Sequence, residues 1–316
     1  MNSTNRLSAL RQTSLFLSAF LATALLACSI SSAQVVIDDM FADGDRSVTG
    51  MSGSDVEGAF YTSTNSNAIE DSVGSLGLVS GTSGRGIHAP FATQSLTNVG
   101  DKLVFEYSFT TPATIEAAPG ESSSFRVGLF DASGVPGGVA AYATDLTSST
   151  DALHENLLGF MMDHDVNTGS ADLNFRERNA PGAGQDRLLG STSDFSSIGS
   201  SSSPDGDYAF VGNEMYSGMV MVERVSATDV MISGSISGNG GGTTHSATYA
   251  PASFDYNLLG FHANSDNFGS TNSPDMADNG LDFSNIRVEF IPVPEPGSAI
   301  LILMGSLLVG MRFRRR

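Results

Sequence analysis

A strict alternation of apolar and polar residues at positions 102–110 sets the strongest limit on the fold. Along this stretch every second residue is aromatic or aliphatic: Leu103, Phe105, Tyr107 and Phe109. A period of two is that of a β-strand with one buried face. Between the two chain ends no stretch of ten or more residues has a convincing helical period, and residues 112–120 and 145–156 have room for short helices at most. The sequence therefore predicts an all-β domain.

Further strands are predicted by short runs rich in β-branched and aromatic residues, separated by Gly, Ser, Asn and Asp. These runs lie at residues 35–40, 74–79, 86–91, 124–131, 157–163, 171–178, 215–225, 230–237, 244–249, 258–263 and 281–290. Residues 179–207 are mostly Gly, Ser, Asp and Pro, and we expect them to form a surface loop. About a dozen strands in one domain of this size predict two packed antiparallel sheets.

The order of these strands resembles that of a concanavalin A-like jelly roll of the laminin-G or legume-lectin type. The segments that carry the resemblance are residues 37–41, 103–109, 125–130, 159–163 and 283–288. The resemblance implies a two-sheet antiparallel jelly-roll sandwich in which the first and last strands are neighbours. It also implies that any ligand binds on a concave sheet face or its rim loops. A pair of immunoglobulin-like sandwiches is the alternative architecture.

The first 33 residues are predicted to be a secretory signal peptide. Arg6 and Arg11 provide the positive n-region, and residues 15–27 form the apolar h-region. Residues 31–33 (SSA) are small, as signal peptidase requires before its cleavage point. Cleavage after Ala33 is therefore expected to leave Gln34 as the first residue of the mature protein.

Cys28, the only cysteine of the chain, supports a competing interpretation. Residues 25–28 (LLAC) are close to a lipobox, whose cysteine would be lipidated and retained. We favour cleavage after Ala33, because a C-terminal anchor makes a second, N-terminal anchor redundant. Without Cys28 the mature protein has no cysteine and therefore no disulfide.

The C-terminal end has three consecutive parts. Two prolines flank a carboxylate at Pro294, Glu295 and Pro296, a combination that continues neither a strand nor a helix. Residues 298–311 are uncharged and largely apolar, somewhat short for a full membrane crossing. A basic cluster follows, formed by Arg312, Arg314, Arg315 and Arg316. These arginines are expected to hold that end on the cytoplasmic side.

These three parts resemble the PEP-CTERM sorting tail of Gram-negative bacteria that make extracellular polymer. The resemblance implies recognition by an exosortase, a membrane cysteine transpeptidase or protease that cuts near the motif. An ordinary C-terminal membrane anchor is the alternative. The predicted organisation is a signal peptide at 1–33, a β-sandwich domain at 34–292 and a sorting tail at 293–316.

The charge of the chain limits its partners. The whole chain carries a formal net charge of −19. Six of its 15 Lys and Arg residues lie in the two end segments, whereas 33 of its 34 acidic residues lie between them, which leaves about −24 on the body. Such a charge opposes nucleic acid and anionic lipid as partners. It suits a protein of an extracellular polymer matrix.

The sequence predicts no catalytic residues. Jelly-roll enzymes that cleave β-glucans place paired carboxylates on one sheet face, whereas the strand carboxylates here stand singly: Glu106, Glu177, Glu223 and Glu289. No tryptophan is present for sugar stacking. Five tyrosines are alternative sugar platforms or half-buried structural residues: Tyr107, Tyr142, Tyr208, Tyr216 and Tyr256.

Asp163, Asp165 and Asn167 are candidate Ca²⁺ ligands, because they place oxygen atoms at alternate positions. The segment departs from the EF-hand pattern at Thr168 and Asn174, where glycine and a bidentate glutamate are required. The same residues are also typical of a polar β-turn between two strands, and both interpretations stay open.

Together these features predict a secreted, exosortase-processed, non-catalytic component of the cell surface or extracellular matrix. Extracellular polysaccharide is its expected partner, besides signal peptidase and exosortase during export. The alternative is an extracellular glycan hydrolase or lyase with a divergent active site.

Overall fold

The computed structural model describes residues 32–47, 50–52, 55–63, 69–79, 84–115, 124–148, 151–166, 173–179, 181–182, 184–199, 208–264, 268 and 280–293. Ala33–Ile291 forms one compact unit. The chain ends, residues 1–31 and 294–316, lie outside the described residues. The predicted sorting motif and basic cluster belong to that part.

Within the described residues there are seventeen strands and three short 3₁₀ helices. In chain order the strands are β1 (Gln34–Asp39), β2 (Gly50–Ser52), β3 (Asp55–Glu57), β4 (Tyr61–Thr62), β5 (Ile69–Ser72), β6 (Ser75–Val79), β7 (Arg85–Ser95), β8 (Lys102–Thr110), β9 (Ser124–Asp131), β10 (Leu158–Asp165), β11 (Leu173–Arg178), β12 (Phe195–Ser197), β13 (Met215–Arg224), β14 (Val230–Gly238), β15 (Gly241–Tyr249), β16 (Asp255–Ala263) and β17 (Gly280–Ile291). The 3₁₀ helices are Gly138–Tyr142, Ala152–Asn156 and Thr192–Asp194.

The strands form two antiparallel sheets. The ten-stranded sheet has the order β15, β14, β13, β8, β17, β1, β3, β2, with β6 pairing to the start of β17 and β5 pairing to β6. The seven-stranded sheet has the order β12, β11, β10, β9, β16, β7, β4. The all-β, two-sheet prediction is confirmed. The first strand, β1, pairs with the last, β17, as the jelly-roll resemblance implies.

Aromatic side chains fill the space between the two sheets. The inward positions of β8 are buried and its outward positions are more exposed, as the alternation predicts. Tyr107 of β8 stacks edge-on against Phe261 of β16 at a centroid distance of 5.3 Å. Phe261 in turn lies 4.4 Å from Phe283 of β17. Burying each large apolar side chain contributes about 1.5–3 kcal/mol, so this contact between the sheets is the main source of stability.

Residues 184–199 depart from the prediction of a surface loop. They include a 3₁₀ helix and the strand β12, and they bury Leu188, Leu189 and Phe195 in a second apolar cluster with Phe130 and Met161. We call residues 184–199 the covering segment, because it packs on the outer face of the seven-stranded sheet. Its apolar residues are few and irregularly spaced among Gly and Ser, so no period in the sequence indicates that they are buried.

A buried pair of carboxyl groups lies where β3 joins β1. Asp39 is fully buried and accepts hydrogen bonds from the amides of Phe41 (2.8 Å) and Gly58 (3.1 Å). Glu57 is 5% exposed, and no N–H donor among the described residues reaches its carboxylate. Burial and the neighbouring carboxyl of Asp39 raise the pKa of Glu57 to about 7.

This pair predicts a pH dependence of stability. Because the pKa of Glu57 is raised in the folded state, its stabilising contribution is complete below its ordinary value of 4.5 and is lost as the pH rises through about 7. We expect the free energy of unfolding to fall by roughly 1–2 kcal/mol between about pH 5 and pH 8. Urea denaturation at several pH values measures this, and Glu57→Gln should flatten the slope. An equal slope in that variant would contradict the assignment.

Candidate functional site

A row of polar side chains crosses the outer face of the seven-stranded sheet. Asp163 on β10 is paired in register with Arg126 on β9, which is paired with His262 on β16. Their sequence neighbours Phe125 and Phe261 lie in the core between the sheets, so the row is on the opposite face. The three side chains are 7%, 2% and 3% exposed, respectively. The outer face of this sheet therefore carries a buried polar row.

Arg126 holds the row together. Its Nε donates to Asp163 Oδ1 at 3.1 Å, and its Nη1 donates to the carbonyl oxygen of Leu189 in the covering segment at 2.9 Å. Arg176 on β11 approaches the other carboxylate oxygen, with its Nε 3.4 Å from Asp163 Oδ2. One carboxylate is therefore shared by two guanidinium groups.

His262 is a neutral imidazole between glycines. A Cβ on Gly84 would lie 2.6 Å from its ring, so a side chain at position 84 would displace it. Burial, reinforced by the positive charges of Arg126 and Arg187, holds the pKa of His262 well below its usual range. Its Nδ1 is buried and has no hydrogen-bond partner among the described residues. The ring therefore adds polar atoms to the row without adding charge.

The covering segment is fastened to the sheet by Arg178 of β11. Its Nη1 donates to the carbonyl oxygen of Arg187 at 2.7 Å, and its Nη2 donates to the carbonyl oxygens of His154, at 2.7 Å, and of Gln185. The side chain of Arg187 itself is exposed. None of the ion pairs among the described residues involves the Arg187 guanidinium. Arg178 thus has a structural role, whereas Arg187 is available at the surface beside the row.

A second buried polar network lies under residues 132–157 and is structural. His88 Nε2 lies 2.9 Å from the carbonyl oxygen of Tyr142, and the hydroxyl of Tyr142 lies 3.0 Å from His154 Nδ1. Burial lowers the pKa of His88 to about 4 and that of His154 to about 3. Both rings are neutral and enclosed, so we do not place them in a ligand site.

Most of the candidate tyrosines have no exposed ring face for a sugar. Four of the five candidates are at most 1% exposed: Tyr107, Tyr142, Tyr216 and Tyr256. The fifth, Tyr208, is half-buried and donates its hydroxyl hydrogen to the carbonyl oxygen of Gly238 at 2.6 Å. A buried ring has no free face for a sugar, so these four buried tyrosines are structural residues.

The candidate calcium ligands are only partly described. Strand β10 extends through Asp165, so Asp163 and Asp165 belong to a strand and not to a turn. Two guanidinium groups beside Asp163 disfavour a cation at that carboxylate. Asn167 lies outside the described residues, and within them no group of three or more His, Cys, Asp or Glu side chains is arranged to hold a metal ion. Calcium binding stays a prediction.

The sequence did not identify Arg126, Arg176, Arg187 and His262 as site residues. The available signal was weak: Arg126 and His262 occupy outward positions in strands whose inward positions are apolar. Nothing in the sequence indicates that these two strands are neighbours, so the two residues could not be joined. The Ala33–Gln34 cleavage point lies directly at the start of β1 and stays a prediction.

Comparison with known sequences identifies the C-terminal end. A family profile described as the PEP-CTERM protein-sorting motif matches residues 292–316. No curated protein sequence shows significant similarity to the chain. Among the described residues no helix has the length and apolar character needed to cross a membrane, and residues 298–311 lie outside that part of the chain.

The fold is similar to several solved structures at low sequence identity. The Emp47p carbohydrate recognition domain has 12% identity and a TM-score of 0.40, with 84% of this chain and 98% of that chain covered. An endo-1,3-β-glucanase from Streptomyces sioyaensis has 10% identity and a TM-score of 0.40, with 83% and 98% covered. Lectin I-B4 from Griffonia simplicifolia, in its metal-free form, has 10% identity and a TM-score of 0.37, with 73% and 92% covered. Similarity at this level does not extend to a binding or catalytic site. The sorting motif, in contrast, marks the chain as an exported protein sorted to the cell surface or extracellular space.

Proposed function

We propose that the protein is an exosortase-processed, non-catalytic component of the cell surface or extracellular matrix that binds polysaccharide. The proposed binding surface is the outer face of the seven-stranded sheet around the row of Asp163, Arg126 and His262. Signal peptidase and exosortase act on the two ends during export. The sheet domain between the two ends binds the polysaccharide outside the cell.

The positions of the strands support processing at both ends. Strand β1 begins at Gln34 and β17 ends at Ile291. Cleavage after Ala33 and removal of the tail near Pro294 would therefore leave both sheets complete. Cleavage inside either strand would instead break the pairing of β1 with β17, which joins the two ends of the domain.

The observation that carries the binding proposal is the polar row next to exposed Arg187 and partly exposed Arg176. Sites for sugars need a small number of fixed polar groups on a rigid support. Here the buried row supports the more exposed groups: Arg176 stands on β11 beside Asp163, and the covering segment that carries Arg187 is fixed over the row by the bond from Arg126 to Leu189. Sheet strands hold such groups more firmly than mobile loops do.

A glycan array probed with the processed extracellular protein tests the proposal. We expect retention on one or more polysaccharides and no shortening of the retained polymer in a reducing-end assay. The same protein unfolded by heat is the control, since adsorption that survives unfolding does not come from a folded site. Absence of retention on every polysaccharide would rule out the binding role and leave a structural one.

A glycan lyase or hydrolase is the second candidate. The described residues give it little support, because His262 is neutral but only 3% exposed and its ring is enclosed as those of His88 and His154 are. Release of new reducing ends from a retained polysaccharide would establish this activity and replace the non-catalytic assignment.

A further inference from the structure

A cavity of about 490 Å³ lies near one edge of the sandwich. Its walls come from β1 and from residues 57–59 in the ten-stranded sheet, from β7 in the seven-stranded sheet, and from the 3₁₀ helix Gly138–Tyr142 and the residue after it. The residues at its rim are exposed: Gln34, Ala92, Ala140 and Ala143. The residues at its floor are buried, among them Ile37 and Phe91. A cavity of this size and depth can admit a small organic molecule.

Both strands that face the cavity depart from regular pairing there. In β1 the register with β17 shifts between Val35 and Ile37. In β7 Pro90 and Gln94 pair with Leu258 and Tyr256 of β16, so that three residues of β7 lie opposite one of β16. Such bulges bend a strand locally and are common beside functional sites. The bulge in β7 is held by a hydrogen bond from Gln94 Nε2 to the carbonyl oxygen of Ala92 at 2.9 Å, so it is a fixed part of the wall.

Glu57 is the charged side chain of the cavity. Apart from Gln34, the other residues that line it are apolar or glycine. Glu57 is 5% exposed, and both of its carboxylate oxygens are buried with no hydrogen-bond donor in the described part of the chain. Its neighbour Asp39, in contrast, accepts two backbone amides. A buried carboxylate without a donor or a counter-ion is unfavourable, so a ligand that supplies both would be bound there.

The charges around Glu57 do not supply a counter-ion. The charged groups that act on it most strongly are all carboxylates: Asp39, Asp43 and Asp55. Arg287 pairs with Asp38, whose side chain alternates with those of its neighbours in β1 and so points to the opposite face of the sheet. Arg46 forms a two-bond pair with Asp145 and lies 3.4 Å from Asp71. The place of a cation beside the Glu57 carboxylate is therefore left to a ligand.

We propose that this cavity binds a small organic amine, with Glu57 as the counter-ion of its ammonium group and the apolar walls around its carbon chain. A divalent metal ion fits less well, because it takes about six oxygen ligands or more. Within the described residues no group of three or more His, Cys, Asp or Glu side chains could hold one. The cavity lies between the sheets and apart from the polar row, so the inference is independent of the proposed polysaccharide binding.

Binding of an amine at Glu57 is expected to depend on pH. Burial and the neighbouring carboxyl of Asp39 raise the pKa of Glu57 to about 7 in the free protein. An ammonium group needs the ionised carboxylate, so below that pKa the ligand must first displace a proton. Alkylamines stay protonated up to about pH 10. We therefore expect the affinity to rise by about tenfold or more between about pH 5.5 and pH 8.

Three probes of equal length test the class of ligand by calorimetry on the processed extracellular protein. They are hexylammonium, 1-hexanol and hexanoate. At about pH 8 we expect hexylammonium to bind at least about tenfold more tightly than 1-hexanol, and hexanoate not to bind, because only the ammonium ion pairs with a carboxylate. Butylammonium should bind severalfold more weakly than hexylammonium, because it buries fewer methylene groups.

Substitutions test the residue. Glu57→Gln keeps the shape of the side chain, and it should lower the affinity for hexylammonium to that for 1-hexanol and remove the pH dependence. Asp39 and the α-amino group that cleavage would create at Gln34 are still present in this variant, so the difference from the parent isolates Glu57. Asp282→Asn is the matched control. It removes one negative charge from a buried carboxyl on the same sheet, whose pKa is likewise raised by burial and a neighbouring carboxylate, and which does not line the cavity.

The Asp282→Asn protein should bind hexylammonium as the parent does, since general attraction to a chain of net charge −19 would weaken equally in both variants. Three outcomes would overturn the inference. Equal affinity for hexylammonium and 1-hexanol would remove the carboxylate from the site, and unchanged affinity in Glu57→Gln would remove that residue. Displacement of hexylammonium by an equal concentration of Ca²⁺ would replace the amine by a metal ion. None of these results bears on retention in the glycan array, so the proposed function is tested separately.

Discussion

Arg178→Met is expected to lower the free energy of unfolding by about 3–5 kcal/mol. The Arg178 side chain is 4% exposed, and its guanidinium bonds the carbonyl oxygens of His154, Arg187 and Gln185. Methionine has a similar length and no donor, so these carbonyl groups would be left buried without partners. The guanidinium also lies 5.3 Å from the ring of Phe195, a contact that methionine replaces only in part.

The loss should be concentrated in the covering segment. We expect the variant to be cut within residues 184–199 by low concentrations of protease, while the strands of the ten-stranded sheet stay protected. Urea denaturation gives the change in free energy, and mass spectrometry of the fragments locates the cut. Arg176→Gln on the same strand is the control and should change stability by less than about 1 kcal/mol, since that side chain is partly exposed. A stable, uncut Arg178→Met protein would show that the covering segment is held by its apolar contacts alone.

Substituting the sorting motif is expected to abolish processing of the C-terminal end. With Pro294, Glu295 and Pro296 replaced by Ala, Gln and Ala, the rigid spacer and its carboxylate are lost while the apolar segment and the terminal arginines remain. The protein should then stay in the cell envelope with Arg316 as its last residue, and the released fraction should fall close to zero. Immunoblotting of cell and medium fractions, with mass spectrometry of the C-terminus, measures both.

Pro292→Ala is the matched control for the motif, because it removes a nearby proline and leaves the three motif residues unchanged. That variant should be processed as the parent is. Cells that lack the exosortase should reproduce the triple variant with the parent sequence. Release of the triple variant at the parent level would mean that the apolar segment and arginines alone direct processing.

Local patterns in the sequence are sufficient to predict the elements that depend only on neighbouring residues. The strand predicted at residues 124–131 has those bounds in the structure, and the alternation at 102–110 correctly identified the buried side chains of β8. The sorting motif is likewise a linear signal, since a few consecutive residues and the apolar run after them define it. Very short strands such as β2 and β4 were missed, because two or three residues show no period.

The tertiary structure decided which distant residues meet. Asp163 and Arg126 are 37 residues apart in sequence and form an ion pair only because β9 and β10 are neighbours. His262 joins them because β16 lies on the other side of β9.

The sequence by itself thus determined the all-β class, the principal strands and the C-terminal sorting motif, because each depends on residues that are adjacent or at a period of two. Only the tertiary structure decided the polar row and the burial of the covering segment. Those features arise from the pairing order of the strands and from the packing of irregular apolar residues against a distant sheet face. Neither the pairing order nor this packing produces a periodic pattern in the sequence.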